Sequence, residues 1–176
     1  PCHIHLSLRG KDGEVVFWDG DQRSALYDHF IAGILATMRE FTLLYAPNVN
    51  SYRRLALGEV APINVEWGYD NRTCGLRVPI DTLANTRVES RFAGSDANPY
   101  LAMAATLACG LLGIREKLTP TEPMAGSAQE RGYGLPRSLE ESLELFGECE
   151  PLHEMFGKRF VVAYSAVKRR EYQTYF

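Results

Sequence analysis

The stretch that decides the fold, Arg87–Leu101, reads RVESRFAGSDANPYL. Its first half alternates, because Arg87, Glu89 and Arg91 share one parity and Val88, Ser90 and Phe92 share the other. Successive side chains of a β-strand point to opposite faces, so this pattern predicts a strand with one charged face. The second half opens a strongly apolar run that is typical of a buried helix.

The same alternation recurs in three other stretches, which are residues 2–9, 63–67 and 76–78. In the first of them His3, His5 and Ser7 share one parity, and in the last Arg77 lies between two aliphatic residues. After the turn at residues 11–13, residues 15–18 are predicted to form a short returning strand. A sheet whose strands each present one apolar and one polar face packs on a core with one side and lines a cleft with the other. We therefore predict an antiparallel sheet with a polar cleft face.

Stretches with the apolar spacing of helices lie between and after these predicted strands. The spacing of apolar residues predicts helices over four stretches: 24–45, 99–112, 139–146 and 150–174. Gly113 is expected to end the second helix, and Ser138 is expected to cap the third. The fold class that follows is one α+β domain in which helices pack against the antiparallel sheet.

Composition excludes several classes of protein. The 176 residues are 45% hydrophobic and 23% charged, with a net charge of −3, which does not fit a nucleic-acid partner. No apolar run reaches the roughly 20 residues that a membrane span needs, so no membrane partner is expected. The four cysteines form no C-x-x-C pair, which favours reduced thiols and a cytoplasmic location. Because the chain starts at Pro1, directly before a histidine motif, we expect it to be part of a longer protein.

Two histidines on one strand face can share a ligand. His3 and His5 are compatible with a metal or nucleotide site, although a hydrogen-bonded histidine is the commoner reason for such a pair. A local zinc centre is not expected, because no carboxylate follows until Asp12. Glu89 carries a similar alternative, since a carboxylate between two arginines is either an ion-pair partner or a metal ligand.

Arginines are dense in the middle of the chain. Six of them fall within 39 residues: Arg53, Arg54, Arg72, Arg77, Arg87 and Arg91. The guanidinium group presents a planar fork of donors to carboxylate or phosphate, so converging arginines would bind a polyanion. Surface ion pairing is the alternative. With the histidines and Glu89, the set suits phosphoryl transfer, where positioning and charge neutralisation supply most of the catalysis.

The order of motifs resembles that of the glutamine synthetase family over nearly the whole chain. The matching segments are His3–Leu8 (HIHLSL), Asn50–Leu55 (NSYRRL), Asn71–Arg72 with Arg77–Pro79, Glu89–Arg91 (ESR) and Ala97–Leu101 (ANPYL). The resemblance implies an ATP-dependent ligase that joins ammonium or a larger amine to glutamate through γ-glutamyl phosphate. It also implies a homo-oligomeric ring in the complete enzyme, with sites between neighbouring subunits.

The resemblance assigns roles residue by residue. His3 and Glu89 match ligands of the Mg²⁺ or Mn²⁺ ion that contacts ATP, and His5 and Ser7 match positions at the nucleotide. The remaining matches are arginines: Arg54 and Arg91 at the glutamate substrate, and Arg72 and Arg77 at the nucleotide and the phosphoryl group in transfer.

One departure bears on the amine. The family's flap carries a glutamate that helps deprotonate ammonium, and here Val60 occupies that position while Glu59 lies one residue earlier. A one-residue shift in an extended segment reverses the direction of a side chain. Either Glu59 takes the catalytic role, or the enzyme uses a larger amine, as γ-glutamylpolyamine synthetases do.

The resemblance also implies that this chain is the C-terminal portion of the catalytic domain. The family's N-terminal β-grasp domain and the upstream catalytic strands, with further metal carboxylates, are not in it. We therefore expect the isolated chain to be inactive. A non-catalytic homologue is the alternative, but grouped arginines are costly unless a ligand neutralises them.

Overall fold

The structure, a computed structural model, describes residues 1–58, 61–82 and 85–175. Its strands are β1 (Ile4–Leu6), β2 (Trp18–Asp19), β3 (Gln22–Arg23), β4 (Trp67–Tyr69), β5 (Leu76–Val78) and β6 (Val88–Ser90). The α-helices of this described part are α1 (Ala25–Tyr45), α2 (Pro99–Glu116), α3 (Leu139–Glu148), α4 (Glu150–Phe156) and α5 (Lys158–Tyr175). Within the same described residues, short 3₁₀ helices cover Val49–Arg53 and Ala128–Arg131.

The main sheet has the strand order β1-β6-β5-β4. Strand β6 is antiparallel to both of its neighbours, whereas β4 and β5 are parallel. The predicted α+β class is confirmed, but the sheet is mixed rather than wholly antiparallel. The reason lies between β4 and β5, where the chain turns at Asp70 in the left-handed region (φ 46°) and returns to start β5 beside the beginning of β4.

The strand predictions differ from the structure at two places. Residues 63–67 alternate, yet only Trp67 of that stretch is in a strand, and β4 extends beyond it to Tyr69. Residues 15–18 form a single bridge, from Val15 to Arg9, while Trp18 belongs to the separate β2–β3 hairpin. Strands of two or three residues are set by their neighbours more than by their own alternation, which explains both differences.

Helices α1 and α2 cross with their backbones in contact, and this crossing corrects the predicted end of α2 at Gly113. A Cβ atom at Gly113 would overlap the carbonyl oxygen of His29, and one at Gly33 would overlap that of Cys109. Gly113 therefore lies inside the helix because it permits close packing, and α2 continues to Glu116. Lys117 ends it with a left-handed conformation (φ 52°).

The C-terminal helices pack on α1. The Ser138 hydroxyl accepts a hydrogen bond from the Glu141 amide at 3.1 Å, which confirms the predicted cap of α3. The predicted helix over 150–174 is divided into α4 and α5 at Gly157, whose φ of 82° is incompatible with a continuous helix. The four cysteines are free thiols. Within the described residues, no helix has the length and apolar character to cross a membrane.

Candidate active site

Strand register brings the predicted polar residues onto one face of the sheet. His5 pairs with Glu89 across β1 and β6, and Glu89 pairs with Arg77 across β6 and β5. Residues directly opposite each other on neighbouring strands project to the same side. His3 and Arg91 lie two positions from members of this row and share its face. The apolar neighbours Val88 and Leu76 are buried on the opposite side.

Glu89 is the centre of this face. Its carboxylate accepts hydrogen bonds from Arg77 Nη1 at 2.6 Å and from Arg91 Nη1 at 2.7 Å, one on each oxygen. The residue is only 2% exposed. Burial alone would raise its pKa, but the hydrogen bonds and charges of the two arginines outweigh burial and hold the pKa of Glu89 below its usual value. Glu89 is therefore a buried, ionised carboxylate.

His3 completes the cluster from the edge strand. Its Nδ1 lies 3.1 Å from a carboxylate oxygen of Glu89 and 3.5 Å from Arg91 Nη1. Partial burial and the Arg91 charge lower the pKa of His3, and the Glu89 charge opposes them only in part. The imidazole is thus held neutral, which is the form that can donate a lone pair to a metal ion.

The spacing of His3 and Glu89 fits two ligands of one hard cation. Neighbouring ligands of an octahedral Mg²⁺, each about 2.1 Å from the ion, are about 3 Å apart. Among the described residues no group of three histidine, cysteine, aspartate or glutamate side chains is placed to bind a metal. The pair therefore fits as part of a coordination sphere, and water, phosphate oxygens or other parts of a complete enzyme would supply the rest.

Arg91 and Arg54, the residues matched to glutamate binding, both lie near the end of β6. Arg91 is 4% exposed, and Arg54 Nη2 donates to the carbonyl oxygen of Phe92, the next residue along the chain. Burial lowers the pKa of Arg54, while the nearby Asp96 charge opposes that effect. Nε and Nη1 of Arg54 have no hydrogen-bond partner among the described residues. Two guanidinium groups with unsatisfied N–H donors at one strand end suit an anionic ligand.

Arg77 and Arg72, which the motifs group together, have different surroundings. Arg77 joins the cluster through Glu89 and also donates from Nη2 to Asp70 Oδ1 at 2.6 Å. Arg72 is exposed in the turn between β4 and β5, where it makes no hydrogen bond or ion pair with another described residue. The structure thus includes Arg77 in the charged cluster and leaves Arg72 outside its hydrogen-bond network.

His5 in the edge strand β1 and Ser7 directly after it, both matched to the nucleotide, are exposed. Ser7 lines an open cavity of about 440 Å³ together with Asp81, Asn85, Thr86 and Arg87. Arg87 Nη1 donates to Asp81 Oδ2 at 2.8 Å on its rim. The sequence placed Arg87 among the arginines that could bind a polyanion but assigned it no individual role, although its parity with Glu89 was the signal that could have placed it here.

One site expectation falls on residues that the structure does not describe, and one residue of the site was not expected. Glu59 and Val60, on which the flap prediction depends, lie outside the residues that the structure describes. Asp70, in contrast, is well described and contacts Arg77, but no sequence pattern pointed to it. Its contact depends on the parallel pairing of β4 and β5, which the alternation could not reveal.

Comparison with known proteins gives consistent matches over the chain. The profile of the glutamine synthetase catalytic domain matches residues 1–176. The γ-glutamylethanolamide synthetase of Streptomyces coelicolor is 43% identical over 171 residues, which cover 97% of this chain and 37% of that protein. The glutamate–isopropylamine ligase of a Pseudomonas species is 40% identical over 173 residues, covering 94% of this chain and 38% of that protein.

A solved structure is similar to the whole of the described fold. The complex of GmaS with ADP superposes with a TM-score of 0.85 at 29% identity, covering 99% of this chain and 42% of that one. The chain therefore spans about two-fifths of the length of the relatives it matches.

Proposed function

Because this chain belongs to the glutamine synthetase catalytic-domain family, we propose that it is the C-terminal part of the catalytic domain of an ATP-dependent ligase that joins an amine to the γ-carboxylate of glutamate. The observation that carries the proposal is the Glu89 cluster. One buried carboxylate gathers two arginines and a neutral imidazole on a single sheet face. A non-catalytic scaffold has no need of such a concentration of charge.

The chemistry divides into two steps. The glutamate side-chain carboxylate attacks the γ-phosphorus of ATP, which forms γ-glutamyl phosphate and releases ADP. The amine nitrogen then attacks the acyl carbon, phosphate leaves, and the nitrogen loses a proton. A Mg²⁺ or Mn²⁺ ion held in part by His3 and Glu89 would supply positive charge to the ATP phosphates.

The side chains of this chain would bind and orient the reactants. Arg77 would donate its remaining Nη hydrogens to the phosphoryl group in transfer, and Arg72 would approach it from the exposed turn. Arg91 and Arg54 would hold glutamate, while His5 and Ser7 would line the nucleotide. Oriented guanidinium donors stabilise charge that develops on phosphoryl oxygens, and they do so more strongly where water is excluded.

The nature of the amine follows from two observations. The two relatives described above are named for products or substrates larger than ammonia, namely γ-glutamylethanolamide and isopropylamine. Val60 also replaces the flap glutamate that the family uses with ammonium. We therefore favour a primary amine larger than ammonia. Ammonium is the second candidate, which Glu59, one residue before the expected position, would support as the base.

The complete enzyme is proposed to be a cytoplasmic homo-oligomeric ring. Since the family builds its sites between neighbouring subunits, this chain by itself should release no phosphate from ATP in the presence of glutamate and amine. The length ratio to the relatives agrees with this expectation, because the remaining metal ligands would come from upstream strands.

An amine panel with the complete enzyme tests the proposal. ADP release is followed by a coupled assay with ammonium, ethanolamine, isopropylamine and putrescine, and the products are identified by mass spectrometry. We expect glutamate-dependent ADP release and a γ-glutamylamide of one of the larger amines. A strong preference for ammonium would overturn the choice of amine, and failure with all four would overturn the ligase proposal. Glu89→Gln serves as the inactive control for contaminating ATPases.

A further inference from the structure

Asp70 makes an unusual set of contacts at the end of β4. Its Oδ1 accepts from Arg77 Nη2 at 2.6 Å, and its Oδ2 accepts from the Ile80 amide at 3.3 Å. Its own amide donates to the Val78 carbonyl at 2.9 Å. One residue thus binds the side chain in the middle of β5 and the backbone on both sides of Pro79.

The backbone of Asp70 does not require a carboxylate. Its φ of 46° lies in the left-handed region, which glycine adopts at lower cost and which asparagine tolerates about as well as aspartate. Local conformation therefore explains a small or amide residue at this position, but it does not explain the negative charge. The contacts of the carboxylate are what distinguish Asp70 from glycine here.

Those contacts restrict the orientation of the Arg77 guanidinium. Glu89 holds Nη1 at 2.6 Å and Asp70 holds Nη2 at 2.6 Å, so both terminal nitrogens are fixed by different carboxylates. Each terminal nitrogen carries a second hydrogen, which stays available for an oxygen of a bound anion. Arg77 is 19% exposed in its side chain, so it is still reachable from solvent. Without Asp70, Arg77 would be held at one end only.

Asp70 also links this arginine to the candidate nucleotide cavity. The Ile80 amide that it binds immediately precedes Asp81, whose carboxylate pairs with Arg87 on the cavity rim. The same carboxylate therefore restrains the plane of Arg77 and the start of the segment that carries the rim.

We propose that Asp70 is a positioning residue that acts through Arg77, fixing the guanidinium for the phosphoryl group in transfer. This proposal rests on the proposed function for its catalytic consequence, but the clamp itself does not depend on it. Positioning residues one contact away from a reacting group commonly change rates by roughly 10- to 100-fold.

The kinetic test uses Asp70→Gly and Asp70→Asn in the complete enzyme. Glycine keeps the left-handed backbone and removes the carboxylate, and asparagine keeps the shape and removes the charge. We expect kcat to fall by roughly 10- to 100-fold in Asp70→Gly and by less in Asp70→Asn, with KM for the amine unchanged. Lys117→Gly is the matched control, because Lys117 is also left-handed (φ 52°). It should alter neither parameter.

Melting temperature separates positioning from a structural role. Asp70→Gly should melt close to the wild type, since relief of the left-handed backbone offsets the loss of an exposed ion pair. A kcat loss that follows a fall in melting temperature would overturn the proposal. So would an unchanged kcat, or a rise in kcat, because a rise would mean that Asp70 competes with the phosphoryl group for Arg77.

A second measurement on the 176-residue chain distinguishes failure of this inference from failure of the proposed function. Restricted rotation of the guanidinium gives resolved Nη–H signals in ¹⁵N NMR spectra. We expect resolved Nη–H signals from Arg77 in the wild-type chain, and we expect these signals to be lost in Asp70→Gly. Retention in Asp70→Gly would show that Glu89 alone fixes the group and would refute the clamp. An inactive wild-type enzyme with the expected spectra would refute only the ligase proposal.

Discussion

Removing the Glu89 carboxylate should be far more damaging to folding than removing an exposed one. In Glu89→Ala, Arg91 loses its only carboxylate contact among the described residues while remaining almost completely buried, whereas Arg77 keeps Asp70. Leaving a buried charge without its partner costs about 3–5 kcal/mol. That is a large part of the roughly 5–15 kcal/mol that stabilises a domain of this kind.

A matched control is available on the surface. Glu154 forms a two-bond ion pair with Arg115, at 2.7 and 3.0 Å, but both side chains are about half exposed. Glu154→Ala should therefore change the free energy of unfolding far less than Glu89→Ala does, because water screens an exposed ion pair. The two variants delete the same side chain from similar hydrogen-bond geometry, so the difference between them reports burial.

Urea unfolding followed by tryptophan fluorescence and circular dichroism measures both losses, with equal m-values required for the comparison. The loss in free energy of unfolding of the double variant Glu89→Ala/Arg91→Ala should be smaller than the summed losses of the two single variants by about 1–3 kcal/mol. The reason is that the double variant no longer buries an unpaired cation. If Glu89→Ala cost no more than Glu154→Ala, or if its effect were simply additive with that of Arg91→Ala, the ion cluster would not organise this face.

Three further results are expected. Gly113→Ala should lower the free energy of unfolding by about 1–3 kcal/mol or more, since the new methyl group must push α2 away from α1. Thermal unfolding measures this loss. The control Gly126→Ala, at a site with open space, should have little effect. Burial opposes ionisation of Asp96, but hydrogen bonds from Ser51 and Asn48 outweigh it and keep the pKa of Asp96 below its usual value. The ionised Asp96 carboxylate therefore contributes its full stabilisation above about pH 3.9, the usual pKa in an unfolded chain, and loses it as the pH falls toward the folded-state pKa. The difference in free energy of unfolding between the wild type and Asp96→Asn should shrink below that pH. A difference that grew on acidification would contradict this sign. Arg91→Lys in the complete enzyme should raise KM for glutamate roughly tenfold or more, the equivalent of one charge-assisted hydrogen bond, and an unchanged KM would show that its role is misplaced.

Alternation predicted the charged face because the parity of side chains is a local property of a strand. Glu89, Arg91 and Arg77 each lie between buried residues, which are apolar except for Ser90, and that pattern alone places the three charged side chains on one side of a sheet. The order of motifs then identified the family, which the comparisons confirmed.

What the sequence could not reveal depends on how separate elements meet. Asp70 reaches Arg77 only because β4 and β5 are parallel, and parallel pairing leaves no mark in the alternation of either strand. Gly113 had the usual signature of a helix end, yet the helix continues because α1 approaches at that point. The pairing of Glu89 with both Arg77 and Arg91 likewise depends on how β5 and β6 lie side by side.

The central claim is that the Glu89 cluster forms the metal and phosphate end of a nucleotide site. Anomalous diffraction from crystals of the complete enzyme, grown with Mn²⁺ and ADP, locates the ion without assumptions about activity. We predict a manganese peak bonded to both His3 and Glu89, with Arg77 directed toward the phosphate side. A peak bonded elsewhere, with His3 and Glu89 both outside bonding distance of the ion, would contradict the account.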